Sequence, residues 1–211
     1  VLGFTSLIDR VVVRQDKQPI REPSAWWKFC NTLKLIRDGS LFIPLLARVA
    51  RRLGLAVIYS ELYGHVRHAD GTITNYGLLG RNVITDAGVA FLADDFGAGG
   101  SEISNMKFHG YGTGTTNEAA SQTALVTELT TEYASDIRPT GTQSDSTNTY
   151  TTVGTLTPDS GGTLAITEHG IFSASSAGTL WDRTKFTAIN LDSTAGDSLV
   201  TTYVATFPSG G

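Results

Sequence analysis

Gly110-Tyr111-Gly112-Thr113-Gly114-Thr115-Thr116 is the part of this sequence most like a phosphate cradle. Closely spaced glycines let backbone N–H groups converge on an anion. The segment lacks the Gly-Lys-Ser/Thr ending of a nucleotide loop and the spacing of a dinucleotide fingerprint. Its glycines are therefore expected to serve a tight turn or a close backbone approach. The four histidines, His65, His68, His109 and His169, could bind a metal or move a proton. His65 and His68 are three apart in an expected strand, so they point to opposite faces and are poorly placed to share an ion. Glu168 beside His169 suggests a polarised imidazole, but adjacent strand residues also diverge. Satisfied or exposed histidines are the expected outcome. Asp94, Asp95 and Glu102 flank a glycine-rich turn and could hold a cation, but a solvated loop is the favoured reading. No serine sits in a nucleophile elbow, and scattered Ser, His and Asp define no triad without geometry. No catalytic, cofactor-binding or metal-binding residue is assigned, and no cofactor and no enzymatic activity are expected.

A second set of residues suits binding rather than catalysis. Trp26, Trp27 and Phe29 stand beside Lys28, and Leu45, Leu46 and Val49 are interleaved with Arg48, Arg51 and Arg52. Aromatic and basic residues together can bind nucleic acid, but no recognisable module is present and the whole chain is acidic. Trp and Arg are also the anchors of protein interfaces, so these nine residues are read as a partner-binding set.

The elements that must position them follow from periodicity. Ser24 is placed to cap a helix in which Trp26, Phe29, Leu33 and Ile36 recur at helical spacing until Asp38-Gly39-Ser40 stops it. A second helix is predicted from about Pro44 to Gly54, with Leu45, Leu46, Val49 and Leu53 on one stripe and the arginines mostly off it. Upstream, Val11-Val12-Val13 could form a short strand. Residues 55–80 read as a hairpin turning at Asp70-Gly71, and Thr85 caps a helix running to about Ala93. Beyond Ile103, Thr, Ser and Gly dominate. Strands are predicted over 106–111, 133–140, 150–156, 164–174, 180–188 and 198–207, with one helix over 119–129. The expectation is a mainly β protein, a β-sandwich or jelly-roll-like domain preceded by a helical, basic N-terminal arm.

Charge divides at the same place. Residues 1–54 carry ten Lys and Arg against four Asp and Glu, a net +6, whereas residues 55–211 carry six against sixteen, a net −10. An arm over 1–54 that meets an acidic surface, attached to an acidic body over 55–211, fits this asymmetry, as does a helical region with a solvated basic face. Cys30 is the sole cysteine, which excludes an internal disulfide. The most apolar stretch, 41–59, is interrupted by Pro44 and three arginines and is too broken to span a bilayer.

Three stretches have a familiar order: Asn82-Val83-Ile84-Thr85-Asp86-Ala87-Gly88; Gly112-Thr113-Gly114-Thr115-Thr116 with Thr123-Ala124-Leu125 and Glu128-Leu129; and Ile166-Thr167-Glu168-His169-Gly170-Ile171-Phe172. The last is followed by Gly178-Thr179-Leu180-Trp181-Asp182-Arg183-Thr184 and Asp197-Ser198-Leu199-Val200-Thr201-Thr202-Tyr203. Over about residues 80–207 the chain resembles a loose family of tailed-phage virion structural proteins, of decoration or fibre-like type. The resemblance carries no catalytic residues. It implies a virion protein assembled in the host cytoplasm, most simply a capsid decoration or cement protein bound to the major capsid protein. The alternatives are a tail, neck or fibre component, or a glycan-binding module at a phage tip. Its partners would be the major capsid protein or other virion proteins, in a homo-oligomer such as a trimer, with neither membrane insertion nor direct nucleic-acid binding.

Overall fold

The structure, a computed structural model, describes residues 20–37, 43–53, 57–97 and 102–207. The expected 11–13 strand and the stops at Asp38-Gly39-Ser40 and Gly54 lie outside these residues. Nine strands follow in chain order: β1 (Ile20–Arg21), β2 (Tyr59–Arg67), β3 (Ile73–Ile84), β4 (Phe108–Gly112), β5 (Thr142–Ser146), β6 (Thr149–Leu156), β7 (Thr163–Phe172), β8 (Leu180–Asp192) and β9 (Ser198–Thr206). Three helices accompany them: α1 (Ala25–Arg37), α2 (Ile43–Arg52) and α3 (Asp86–Phe96).

The protein is mainly β. Its strands form one sheet in the order β4-β7-β8-β3-β2-β9-β6-β5, antiparallel throughout except that β1 joins β3 in parallel. The sheet curls into a half-barrel. Its ends approach each other: Thr140, just before β5, bridges Phe108 of β4, and His109 N donates to Pro139 O at 2.9 Å. Alternation along β2 and β9 sends Leu62, Val66, Leu199 and Tyr203 inward. They meet Tyr111, Leu156, Ile171, Trp181 and Ile189 in one core.

A bulge in β7 between Ile166 and Glu168 changes which residues face that core. Ile166 points in, and beyond the bulge Ile171 does so too. Phe172 instead joins Leu125 and Leu180 in a second, separate cluster under the chain that follows β4. Thr85 caps α3 as expected, accepting from Gly88 N and donating to Leu180 O at 2.6 Å.

β3 and β8 pair only at Val83–Arg183 and Ile84–Asp182, although both strands are much longer. Where the ladder stops, α1 takes its place. Trp27 Nε1 donates to Thr187 O of β8 at 3.3 Å, and Asn31 Nδ2 donates to Leu78 O of β3 at 2.9 Å. Carbonyls that lack a neighbouring strand are thus satisfied by helix side chains. Ser24 accepts from Trp27 N and caps this helix, as its type suggests.

Three expectations are corrected. Residues 119–129 form no helix. Val126 N and Thr127 N donate to the carboxylate of Glu168, a partner outside the segment, rather than to carbonyls one turn back. Residues 133–140 form no strand: a 3₁₀ turn occupies Ala134–Asp136, with Ser135 at φ 62° and Asp136 at φ 56°. Thr142–Ser146 is a strand that the pattern did not suggest, because it is exposed along its whole length and shows no alternation.

Candidate functional site

The residues with chemical potential fall into two groups, one sealed inside the body and one exposed on the helices. Within the sealed group, the glycine loop does hold an anion, and that anion is the protein's own. Glu168 is fully buried, and its carboxylate accepts from Gly114 N at 3.0 Å, Thr127 N at 2.7 Å and Val126 N at 3.1 Å. Arg183, also fully buried, pairs with it through Nε at 2.8 Å and Nη2 at 2.7 Å. The guanidinium then donates to Gln122 Oε1 and Thr116 O, which binds both ends of the loop to β8. A Cβ at Gly112 or Gly114 would run into this carboxylate, so close approach explains both glycines. A second pair, partly buried, repeats the device. Arg138 grips Glu128, donates to Ala174 O and Ala177 O, and lies 3.5 Å over the Phe172 ring.

On the inner face, His109 and His169 meet, with Nδ1 of the first 3.0 Å from Nε2 of the second. Both are fully buried. Thr152 and Thr201 complete the contacts of His109, and Tyr111 OH reaches Thr201 at 2.8 Å. Burial lowers the His109 pKa to about 3 and holds His169 well below the usual range, the second with help from its neighbour. Both rings are neutral at pH 7. Nearby, Asp182 is pushed up to about 6 by burial, although Ser60 donates to it at 3.0 Å. Sequence reasoning treated these histidines separately, since they are sixty positions apart. Register brings them together: Tyr111 pairs with His169 and His109 with Ile171, which makes the two histidines diagonal neighbours on one face. His68 binds Asp197 and Thr74, and His65 lies elsewhere on β2. Among the described residues no group of three or more His, Cys, Asp or Glu is placed to hold a metal. Asp94 and Asp95 lie on α3 rather than in a loop, and Asp95 accepts from Ile103 N at 3.3 Å.

The exposed group is the set expected to bind a partner, with one correction. Trp27 is only 8% exposed and belongs to the core, stacked edge-on against Tyr76 with centroids 4.7 Å apart. It sits on the face of α1 that replaces the missing ladder, so it cannot meet a partner. Trp26, by contrast, is 71% exposed, and with Phe29, Leu33 and Ile36 it forms an uncovered apolar face on the same helix. On α2, Leu45, Leu46 and Val49 are likewise exposed, as is Leu53 just past its end. Arg48 and Arg52 are exposed beside them, while the side chain of Arg51 lies outside the described set. The described residues thus leave a solvent-facing apolar stripe on each of two consecutive helices. No described helix is long and apolar enough to cross a membrane. No protein-family model matches the chain, and a search of curated proteins returns no significant relative.

Proposed function

We propose that this chain is a non-enzymatic structural component of a tailed-phage particle, a capsid decoration or cement protein that binds the major capsid protein. The observation that carries the reading is the uncovered apolar face of α1, Trp26, Phe29, Leu33 and Ile36, on a helix whose other face is anchored in the core. Such a helix presents rigid aromatic anchors at little entropic cost, which is what a tight interface requires. The residues capable of chemistry point the other way: Glu168, Arg183, His109 and His169 are fully buried and engaged with one another or with the backbone. They stabilise the body and present nothing to a substrate. The resemblance over residues 80–207 supplies the particle.

The copy number in purified particles tests this. Amounts near those of the major capsid protein are expected. A few copies to a few dozen would replace the decoration role with a neck, tail or fibre role.

A further inference from the structure

A groove opens between the 3₁₀ turn at Ile103–Asn105 and the start of β6, with a volume of about 380 Å³. Ile103, Met106, Tyr150, Trp181 and Phe207 give it an apolar lining. Its walls are tied together: Gln143 Nε2 donates to both Ser104 O and Tyr150 OH at 2.8 Å, and Tyr150 OH donates to Met106 O at 2.7 Å. The groove is therefore formed before anything enters it. Its rim is acidic. Asp145 lines it, Glu102 precedes the turn, and Asp95 accepts from Ile103 N.

The complement of this groove is in the same chain. α2 is a basic amphipathic helix, and Leu46 and Val49 on it, with Leu53 in the turn that continues it, have the spacing by which a helix inserts anchors into a groove. Arg48 and Arg52 are the charges that an acidic rim would attract. In the chain itself the helix is not seated in the groove, since Leu45, Leu46, Val49 and Leu53 are all exposed. α2 carries Arg48, Arg51 and Arg52 and no acidic residue, which opposes contact between two copies of α2 and favours its contact with the −10 of residues 55–211 in another copy. We infer that α2 of one copy docks in the acid-rimmed groove of a second copy. Such a contact is heterologous, so it produces a closed ring or an open series of copies. It concerns self-association and is independent of which virion protein meets α1.

Sedimentation of the full chain over a concentration series tests it, using two surface variants. Leu46→Asp with Val49→Asp spoils the helix, and Glu102→Lys with Asp145→Lys reverses the rim. All four positions are exposed, so both variants keep the fold. The parent should associate, and more weakly as salt rises. The helix variant should associate at least roughly a hundredfold more weakly, because a carboxylate would have to enter an apolar groove. Each variant alone should be monomeric, and an equimolar mixture should form a one-to-one dimer through the single intact helix and groove. Four results would overturn the inference: a monomeric parent at every concentration, a rim variant that associates like the parent, a helix variant that associates like the parent, or a mixture that stays monomeric.

Discussion

In the body three arginine–carboxylate pairs lie wholly or partly buried, whereas α1 and α2 each leave an apolar stripe uncovered. Of the six basic residues in 55–211, three are committed to ion pairs with carboxylates of the same body: Arg81 with Glu61, Arg138 with Glu128 and Arg183 with Glu168. Other carboxylates, Asp70, Asp94 and Asp145 among them, face solvent, while Asp182 is buried. The helices invert this arrangement, exposing Trp26, Phe29, Leu46 and Leu53 next to Arg48 and Arg52. Buried charge is worth keeping only where hydrogen bonds satisfy it completely, and exposed apolar surface is tolerated only where something covers it. The first region is built to hold a shape, and the second to be covered.

The contrast can be broken most severely at Glu168. Glu168→Gln leaves Arg183 buried without its counter-charge, and the loop keeps one acceptor oxygen where it had two, the other replaced by an amide NH2 facing Val126 N and Arg183. A loss of about 3–5 kcal/mol is expected, measured as a shift in the urea midpoint. A shift below about 1 kcal/mol would mean that the pair does not hold the loop. The boundary between the regions comes next, and it runs through α1. Trp27→Ala should cost about 3 kcal/mol, because it empties a core site and frees the carbonyl of Thr187. Trp26→Ala, one residue away, should change stability by less than about 0.5 kcal/mol. Equal effects would erase the distinction between the two faces.

Acid probes the body alone. His109 and His169 have folded pKa values below the ordinary histidine value, so the unfolded chain binds protons more readily than the folded one. Their contribution is complete above about pH 6.5 and is lost as pH falls below it. Asp182, raised to about 6, acts oppositely between about pH 6 and 4, one group against two. Stability should fall by roughly 2 kcal/mol between pH 7 and pH 5, and His109→Gln should flatten that slope. An unchanged slope would place the acid response elsewhere. The smallest effect is expected at Arg48→Ala with Arg52→Ala. The thermal midpoint should stay put while the salt dependence of association weakens.

Much of this was legible in the residues. Asp70-Gly71 announced the β2–β3 hairpin, Thr85 the cap of α3, and the alternation after Tyr150 four further strands. What could not be read depended on partners distant in sequence. Val126 and Thr127 gave up a helical pattern because Glu168, some forty residues later, accepts their N–H groups. The β7 bulge, which carries no local signature, set which face of that strand met the core. The apolar periodicity of α1 marked a helix, but it could not say that Trp27 faces inward while Trp26 faces out. That choice follows from the gap between β3 and β8, which only the folded sheet creates.

Under the proposed function, the outward face of α1 attaches the protein to a phage particle. The direct test adds purified chain to particles lacking it and measures the bound fraction, comparing the parent with Trp26→Ala combined with Phe29→Ala. Both side chains are exposed, so the variant should melt like the parent. Truncating well-packed interface aromatics typically costs about 2 kcal/mol or more each, so binding should fall by at least roughly a hundredfold. A double variant that binds as well as the parent would contradict the account and move attachment to the β-body.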